Sequence, residues 1–191
     1  MIFYLKNQRV TYIFKLSILI LMFILYPYYA FSDINKKIRE INANVIFLRH
    51  AIAPGFGDPE DFNLKDCETQ RNLSEDGVKQ SKALGNFFKV HKIIFSEILS
   101  SEWCRCKDTL KEMDIGEWTT FSGLNSFFQG FSQKHEVLYK LNKKLLSIEN
   151  QELVLMVTHQ VVIYNITGIS PTSGGIVLYN SKTGKSKQLI W

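Results

Sequence analysis

Three short apolar runs, each stopping abruptly at polar residues, constrain this chain more than any other feature. Val45–Leu48 stops at Arg49-His50, Ile93–Leu99 at Ser100-Ser101, and Leu153–Val157 at Thr158-His159. Runs of this length, rich in branched side chains and interrupted only by Ser96-Glu97 in the second, read as strands buried on both faces of a sheet. Helical patterns lie between them. Ser74 is an N-cap for a helix over 75–89 with Val78, Ala83, Leu84, Phe87 and Phe88 on its apolar side. Further helices are expected over 102–113, over 133–149 and over 160–167, the last stopped by Gly168. Ile176–Tyr179 and Gln188–Ile190, about a turn near Thr183-Gly184, read as a closing hairpin. Residues 33–43 read as a polar lead-in holding the first turn of a helix, 51–73 as a long loop, and 114–132 as irregular. Strands alternating with helices predict an α/β fold with helices on both faces of the sheet.

Charge needs to be located before it is interpreted. The chain has 191 residues, 23 basic against 18 acidic, for a formal +5. Taken whole, that balance suits a polyanion. Residues 1–32, however, hold Lys6, Arg9 and Lys15 with no acidic residue, then the apolar run Leu16–Tyr26, then Ala30 and Ser32. These are the parts of a secretory signal peptide, with cleavage expected after Ser32. The competing reading is an uncleaved anchor through residues 11–31, and only then does the chain touch a membrane. Without the leader, 191 − 32 leaves 159 residues and 23 − 3 leaves 20 basic against 18 acidic, a formal +2. A nucleic-acid partner loses its support. The expected location is outside the cytoplasm, periplasmic or extracellular, with residues 33–191 as one domain.

In open α/β sheets the ligand crevice lies beyond the carboxyl ends of the strands. The three strand ends therefore bring Arg49, His50, Arg105 and His159 to one edge. Two guanidinium forks hold a phosphoryl group through paired, charge-assisted hydrogen bonds. A neutral imidazole in line with phosphorus attacks it and forms a phosphohistidine, and a second imidazole, if protonated, steadies the oxygens.

Those residues also carry a resemblance. Val45-Ile-Phe-Leu-Arg-His-Ala51 is similar to the Arg-His signature of the histidine phosphatase (phosphoglycerate mutase-like) superfamily. Arg71-Asn-Leu-Ser-Glu-Asp-Gly77, with Gln80 after it, resembles the stretch that opens the family's first helix. Ser100-Ser-Glu-Trp-Cys-Arg-Cys-Lys-Asp-Thr109 resembles the segment supplying the second arginine, and Val157-Thr-His-Gln160 the segment with the second histidine. The resemblance implies a three-layer α/β/α sandwich around a mostly parallel central sheet. It implies His50 as the phosphorylated nucleophile, His159 as its partner, and Arg49 and Arg105 as phosphoryl-binding residues, with no metal and no cofactor. The expected activity is hydrolysis of a small-molecule or surface-displayed phosphomonoester. The alternative is a non-catalytic phosphate-binding or interaction protein that keeps the pocket.

The acid that protonates the leaving oxygen matches no motif. Asp58, Asp61 and Asp66 in the first loop and Glu117 in the irregular stretch are candidates. Arg71 is placed either at the pocket mouth or in solvent. Cys104 and Cys106 lack the spacing of a zinc site, and Cys67 is expected to form a disulfide with one of them. Gly55-Phe-Gly57 lacks the third glycine of a dinucleotide loop, since Glu60 stands there, and is read as a loop passing close to the pocket.

Overall fold

The computed structural model describes residues 34–191, so the signal-like segment lies outside the described residues. Among the described residues no helix is long and apolar enough to cross a membrane. The elements are α1 (Ile34–Ile41), β1 (Val45–Arg49), α2 (Glu75–Val90), β2 (Glu97–Ser100), α3 (Cys104–Met113), β3 (Thr119–Thr120), α4 (Lys134–Ser147), β4 (Val154–Thr158), α5 (Gln160–Thr167), β5 (Ile176–Tyr179) and β6 (Ser186–Leu189). Short 3₁₀ turns sit at Cys67–Thr69 and Ser122–Leu124.

The strands form one six-stranded sheet in the order β3-β2-β4-β1-β5-β6. The first four in that order run parallel, and β5 and β6 pair antiparallel. Side-chain alternation divides the core by face. Ile46, Leu48, Leu155 and Val157 pack with α1, α2 and α3, whereas Val45, Phe47, Val154 and Met156 pack with α4 and α5. The fold is thus an α/β sandwich with helices on both faces. Register does the rest. Val45↔Val154 through Arg49↔Thr158 and Ser100↔Val157 align β1, β4 and β2, so their polar ends lie side by side. The His50 amide donates to the Thr158 carbonyl at 2.9 Å and the Ser101 amide to the Val157 carbonyl at 2.9 Å, carrying the alignment past the strand ends.

Ser74 caps α2, its hydroxyl accepting from the Gly77 amide at 3.1 Å, with Glu75 and Asp76 in the first turn. The buried face of α2 differs from the apolar face expected. Ala83 is exposed, and the buried seam instead includes Gly77, Ser81 and Gly85, four residues apart. Small side chains there allow close approach. A Cβ on Gly77 would lie 2.1 Å from the Ile52 carbonyl oxygen, and one on Gly85 would lie 1.9 Å from that of Met113. Helix α2 is therefore pressed against both the loop leaving His50 and the end of α3.

Four expectations need correction. Strand β2 begins at Glu97 rather than Ile93, because Lys92 turns the chain at φ 53° and Ile93 and Phe95 pack on the core from an irregular link. Strand β6 is Ser186–Leu189, a polar edge strand needing one buried anchor, Leu189, so apolarity marks it weakly. The lead-in forms a complete helix, α1, because Ile34, Ile38 and Ile41 repeat on one side and pack against the core. The irregular stretch holds β3, which extends the sheet beside β2.

Gly85→Ala is expected to lose about 1–3 kcal/mol through overpacking. Asn86→Ala, on the exposed side, should stay within about 0.5 kcal/mol. Urea unfolding of both variants checks this: the midpoint should fall for Gly85→Ala alone.

Candidate active site

The aligned strand ends open into a cavity of about 350 Å³. His50 forms its floor and is buried, with Nδ1 2.8 Å from the Ala51 carbonyl oxygen. A carbonyl only accepts, so Nδ1 carries the hydrogen and Nε2 keeps its lone pair. Arg105 Nε donates toward that Nε2 at 3.3 Å. The second imidazole, His159, has its centroid 5.4 Å away. Its Nδ1 lies 3.5 Å from Arg105 Nη2, which can only donate, so Nε2 holds the hydrogen and donates to Ser101 Oγ at 3.0 Å. Ser101 Oγ donates on to Asn125 Oδ1 at 3.2 Å, and Asn125 Nδ2 donates to Glu102 Oε2 at 2.6 Å. A chain of hydrogen bonds thus sets the orientation of His159 from the side away from the cavity.

Both imidazoles are held well below the ordinary histidine value. Burial is the first cause for each and the Arg105 cation the second. Both are therefore neutral at pH 7, and in the free site His159 is not the protonated group that oxyanion stabilisation asks for. Cys106 Sγ lies 3.5 Å from His159 Nε2, and burial pushes its thiol up to about 12, so it is not a thiolate nucleophile.

Arg105 is 3% exposed and bridges the site. Its Nη1 and Nη2 donate to Asp58 Oδ1 and Oδ2 at 2.7 and 3.1 Å, a two-pronged ion pair. Asp58 also accepts from the Trp103 indole at 3.0 Å and from the Arg71 amide at 3.1 Å. Burial, the largest single influence, raises the Asp58 carboxyl, but the Arg105 hydrogen bond and charge outweigh it and hold the group below its usual value. Arg49 Nη1 donates to the Pro171 carbonyl at 2.9 Å, while its buried Nε has no hydrogen-bond partner among the described residues. A buried, unpaired donor costs about 1–3 kcal/mol, and an arriving oxyanion would remove that cost. Burial first and the Arg105 charge second lower Arg49 and Arg71 alike, the mark of crowded cations short of an anion.

The loop over 51–73 is clamped onto this centre. Cys67 and Cys104 form a disulfide, Cα atoms 5.7 Å apart, leaving Cys106 the free thiol. Gln70 Oε1 accepts the Cys104 amide at 3.0 Å, at the start of α3. Phe62 stacks on Trp103 at 5.0 Å, and Thr109 Oγ1 accepts the Ala51 amide at 3.0 Å. Arg71 Nε donates to the Gly57 carbonyl at 2.7 Å and Nη1 to the Ala53 carbonyl. Gly57 has φ 71° and lies against Gln129, where a Cβ would come within 2.7 Å of the amide oxygen.

The structure brings Arg49, His50, Arg105 and His159 to one cavity, together with Asp58 and Arg71. Asp61, Asp66 and Glu117 are exposed, and none of the three lines it. Asp66 instead caps the 3₁₀ turn at Cys67, accepting the Glu68 amide at 3.0 Å. Ser101, Asn125 and Trp103 carry no role in the sequence reading. Ser101 and Trp103 lie inside the segment matched for the second arginine, and Asn125 in the irregular stretch over 114–132.

No family model matches the chain, and no curated protein matches it. Solved structures do. The protein histidine phosphatase SixA complexed with tungstate superposes with a TM-score of 0.52 at 18% identity, over 76% of this chain and 94% of its own. The chain has the histidine phosphatase fold. A phosphoserine phosphatase of Entamoeba histolytica in complex with 3-phosphoglyceric acid gives a TM-score of 0.52 at 14% identity, over 76% and 94% of the two chains. The mycobacterial glucosyl-3-phosphoglycerate phosphatase gives 0.51 at 13%, over 78% and 98%. At such identities the histidine phosphatase fold is what is shared, and the chemistry must be argued from the side chains above.

The depressed imidazoles make a prediction. In ¹⁵N NMR of the free protein neither His50 nor His159 should titrate near pH 6.5, and added inorganic phosphate should move both upward. Because the unfolded chain takes up these protons near pH 6.5 and the folded chain does not, the stability they contribute is present above about pH 6.5 and lost as pH falls.

Proposed function

We propose that this chain is an exported phosphohydrolase that cleaves phosphomonoesters through a phosphohistidine on His50. The observation that carries the reading is the lone pair of buried, neutral His50 Nε2, held by the Ala51 carbonyl beside Arg105 in a cavity that Arg49, with its orphaned Nε, also lines. Export rests on the basic, then apolar, N-terminal segment of the sequence.

The phosphoryl oxygens take the Arg105 fork from Asp58 and meet Arg49 Nε. His50 Nε2 then forms the P–N bond as the P–O bond to the leaving alcohol breaks. With Nε2 of His50 turned to phosphorus, the dianion favours the protonated form of His159, which gains the charge it lacks in the free site. Asp58, parted from its arginine and next to that dianion, takes up a proton and delivers it to the leaving oxygen. What supports Asp58 in this role, over Asp61, Asp66 and Glu117, is that it lines the cavity and they do not. In the second half the Asp58 carboxylate takes a proton from water, whose oxygen bonds to phosphorus as the P–N bond breaks. The electron pair returns to Nε2 and phosphate leaves. The substrates named for the structural neighbours differ from one another, phosphoserine and glucosyl-3-phosphoglycerate among them, so the shared fold does not select one.

Rapid quench into alkaline detergent with a labelled phosphomonoester should trap a base-stable, acid-labile phosphoprotein, absent in His50→Ala, with turnover of that variant lower by at least about a thousandfold. Equal activity of the two proteins would sink the mechanism. Phosphate binding with no trapped phosphoprotein would favour the non-catalytic binding reading. For Asp58→Asn, kcat on an alkyl phosphate should fall about 10²–10⁴-fold, and far less on p-nitrophenyl phosphate, whose leaving group needs no proton.

A further inference from the structure

The residues lining the cavity divide sharply by charge and depth. Every acidic, basic or imidazole side chain among them, Arg49, His50, Asp58, Arg71, Arg105 and His159, belongs to the site described above. The mouth is different. Phe56 is 88% exposed, Tyr164 56% and Phe128 48%, and Phe127 and Val161 complete an apolar rim. Exposed aromatic rings of this size at a cavity mouth are surface left uncovered until something packs on it.

The rim is assembled rather than accidental. Phe56 comes from the loop after β1 and Phe128 from the segment before α4, and their rings meet edge to face at 5.0 Å and 88°. Gln129 holds the two segments together, its side-chain amide donating to the Asp58 carbonyl at 3.0 Å and its oxygen accepting the Asp58 amide. The neighbouring polar groups are neutral and largely engaged. Gln160 Nε2 donates to Ser170 Oγ at 2.8 Å, and Asn165 Nδ2 to the Val161 carbonyl at 2.8 Å. The ammonium of Lys134 sits 5.6 Å over the Phe127 ring but does not line the cavity. Among the described residues the cations that line the cavity are Arg49, Arg105 and Arg71, and the Arg71 guanidinium is already engaged by the Gly57 and Ala53 carbonyls, so the rim itself adds ring faces and no lining cation of its own.

Resting on the phosphatase reading, we infer that the mouth formed by Phe56, Phe128 and Tyr164 is the leaving-group subsite, and that it selects an uncharged alcohol presenting a ring face. A ring packs between the aromatic edges while its ester phosphate reaches the arginines. A carboxylate or second phosphate carried on the alcohol would have to shed water in the apolar mouth without a partner, which disfavours it.

Ligand binding tests this independently of turnover. Titration calorimetry of the wild-type protein would compare benzylphosphonate, the methylene phosphonate analogue of glucose 6-phosphate, and 2-carboxyethylphosphonate, all with carbon bonded to phosphorus and none hydrolysable. At least one ring-bearing ligand should bind tenfold or more tightly than the carboxylate, and which of the two does so separates an aryl from a sugar alcohol. In the Phe56→Ala/Phe128→Ala double variant that ratio should shrink to within threefold, with circular dichroism confirming the fold. Carboxyethylphosphonate binding as tightly as both ring ligands, or a ratio unmoved by the double substitution, overturns the subsite. A ring preference without hydrolysis of the matching ester, benzyl phosphate or glucose 6-phosphate according to which analogue binds more tightly, would keep the subsite and remove the phosphatase reading instead.

Discussion

The buried guanidinium of Arg105 is the interaction on which the rest of this site depends. It reaches Nε2 of His50, Nδ1 of His159 and both oxygens of Asp58 from one planar fork. No other side chain type does this, because only arginine presents several donors in fixed directions. Burial first and this cation second depress both imidazoles, which keeps the proposed nucleophile unprotonated. Burying it beside its ion-pair partner is costly, and removing one member of such a pair strands the other, at about 3–5 kcal/mol. The free site thus holds Asp58 where the proposed reaction places a phosphoryl group.

A cation so placed needs its helix held still. Helix α3 begins at Cys104, the residue before Arg105, and is tied at that end to the first loop by the disulfide and by Gln70. In the chain-entropy account, closing a loop across the 37-residue separation of the two cysteines is worth about 4 kcal/mol. At its other end α3 meets α2 at Gly85, and Gly77 of α2 presses on the loop leaving His50. His50, Arg105 and the loop are therefore positioned by contacts among α2, α3 and the loop itself, and a shift in one is felt by the others.

Much of the architecture was legible because hydrophobic period and burial are local properties. The runs ending at Arg49, Ser100 and Thr158 marked the central strands, and Ser74 and Gly168 marked helix ends through capping and left-handed geometry. Where burial was one-sided or interrupted, the reading slipped. Ile34, Ile38 and Ile41 make a helix only because a core exists for them to meet. Ser186–Leu189 pairs as an edge strand on backbone bonds rather than on apolar content. In the site, Arg49, His50, Arg105 and His159 were visible from strand ends and motif order. Ser101 and Asn125 were not, since what distinguishes them is contact across 24 residues of sequence.

The sequence by itself determined the fold class, the edge of the sheet at which the candidate site lies, and the types of group that gather there. It did so because apolar periodicity and strand-end polarity are written along the chain. Only the tertiary structure decided that Cys67 pairs with Cys104, that Asp58 rather than Asp61, Asp66 or Glu117 lines the cavity, and that the mouth is aromatic and uncharged. Those choices follow from which side chains a long, irregular loop brings within a few ångströms of α3. Loop closure in space leaves no period in the sequence to read.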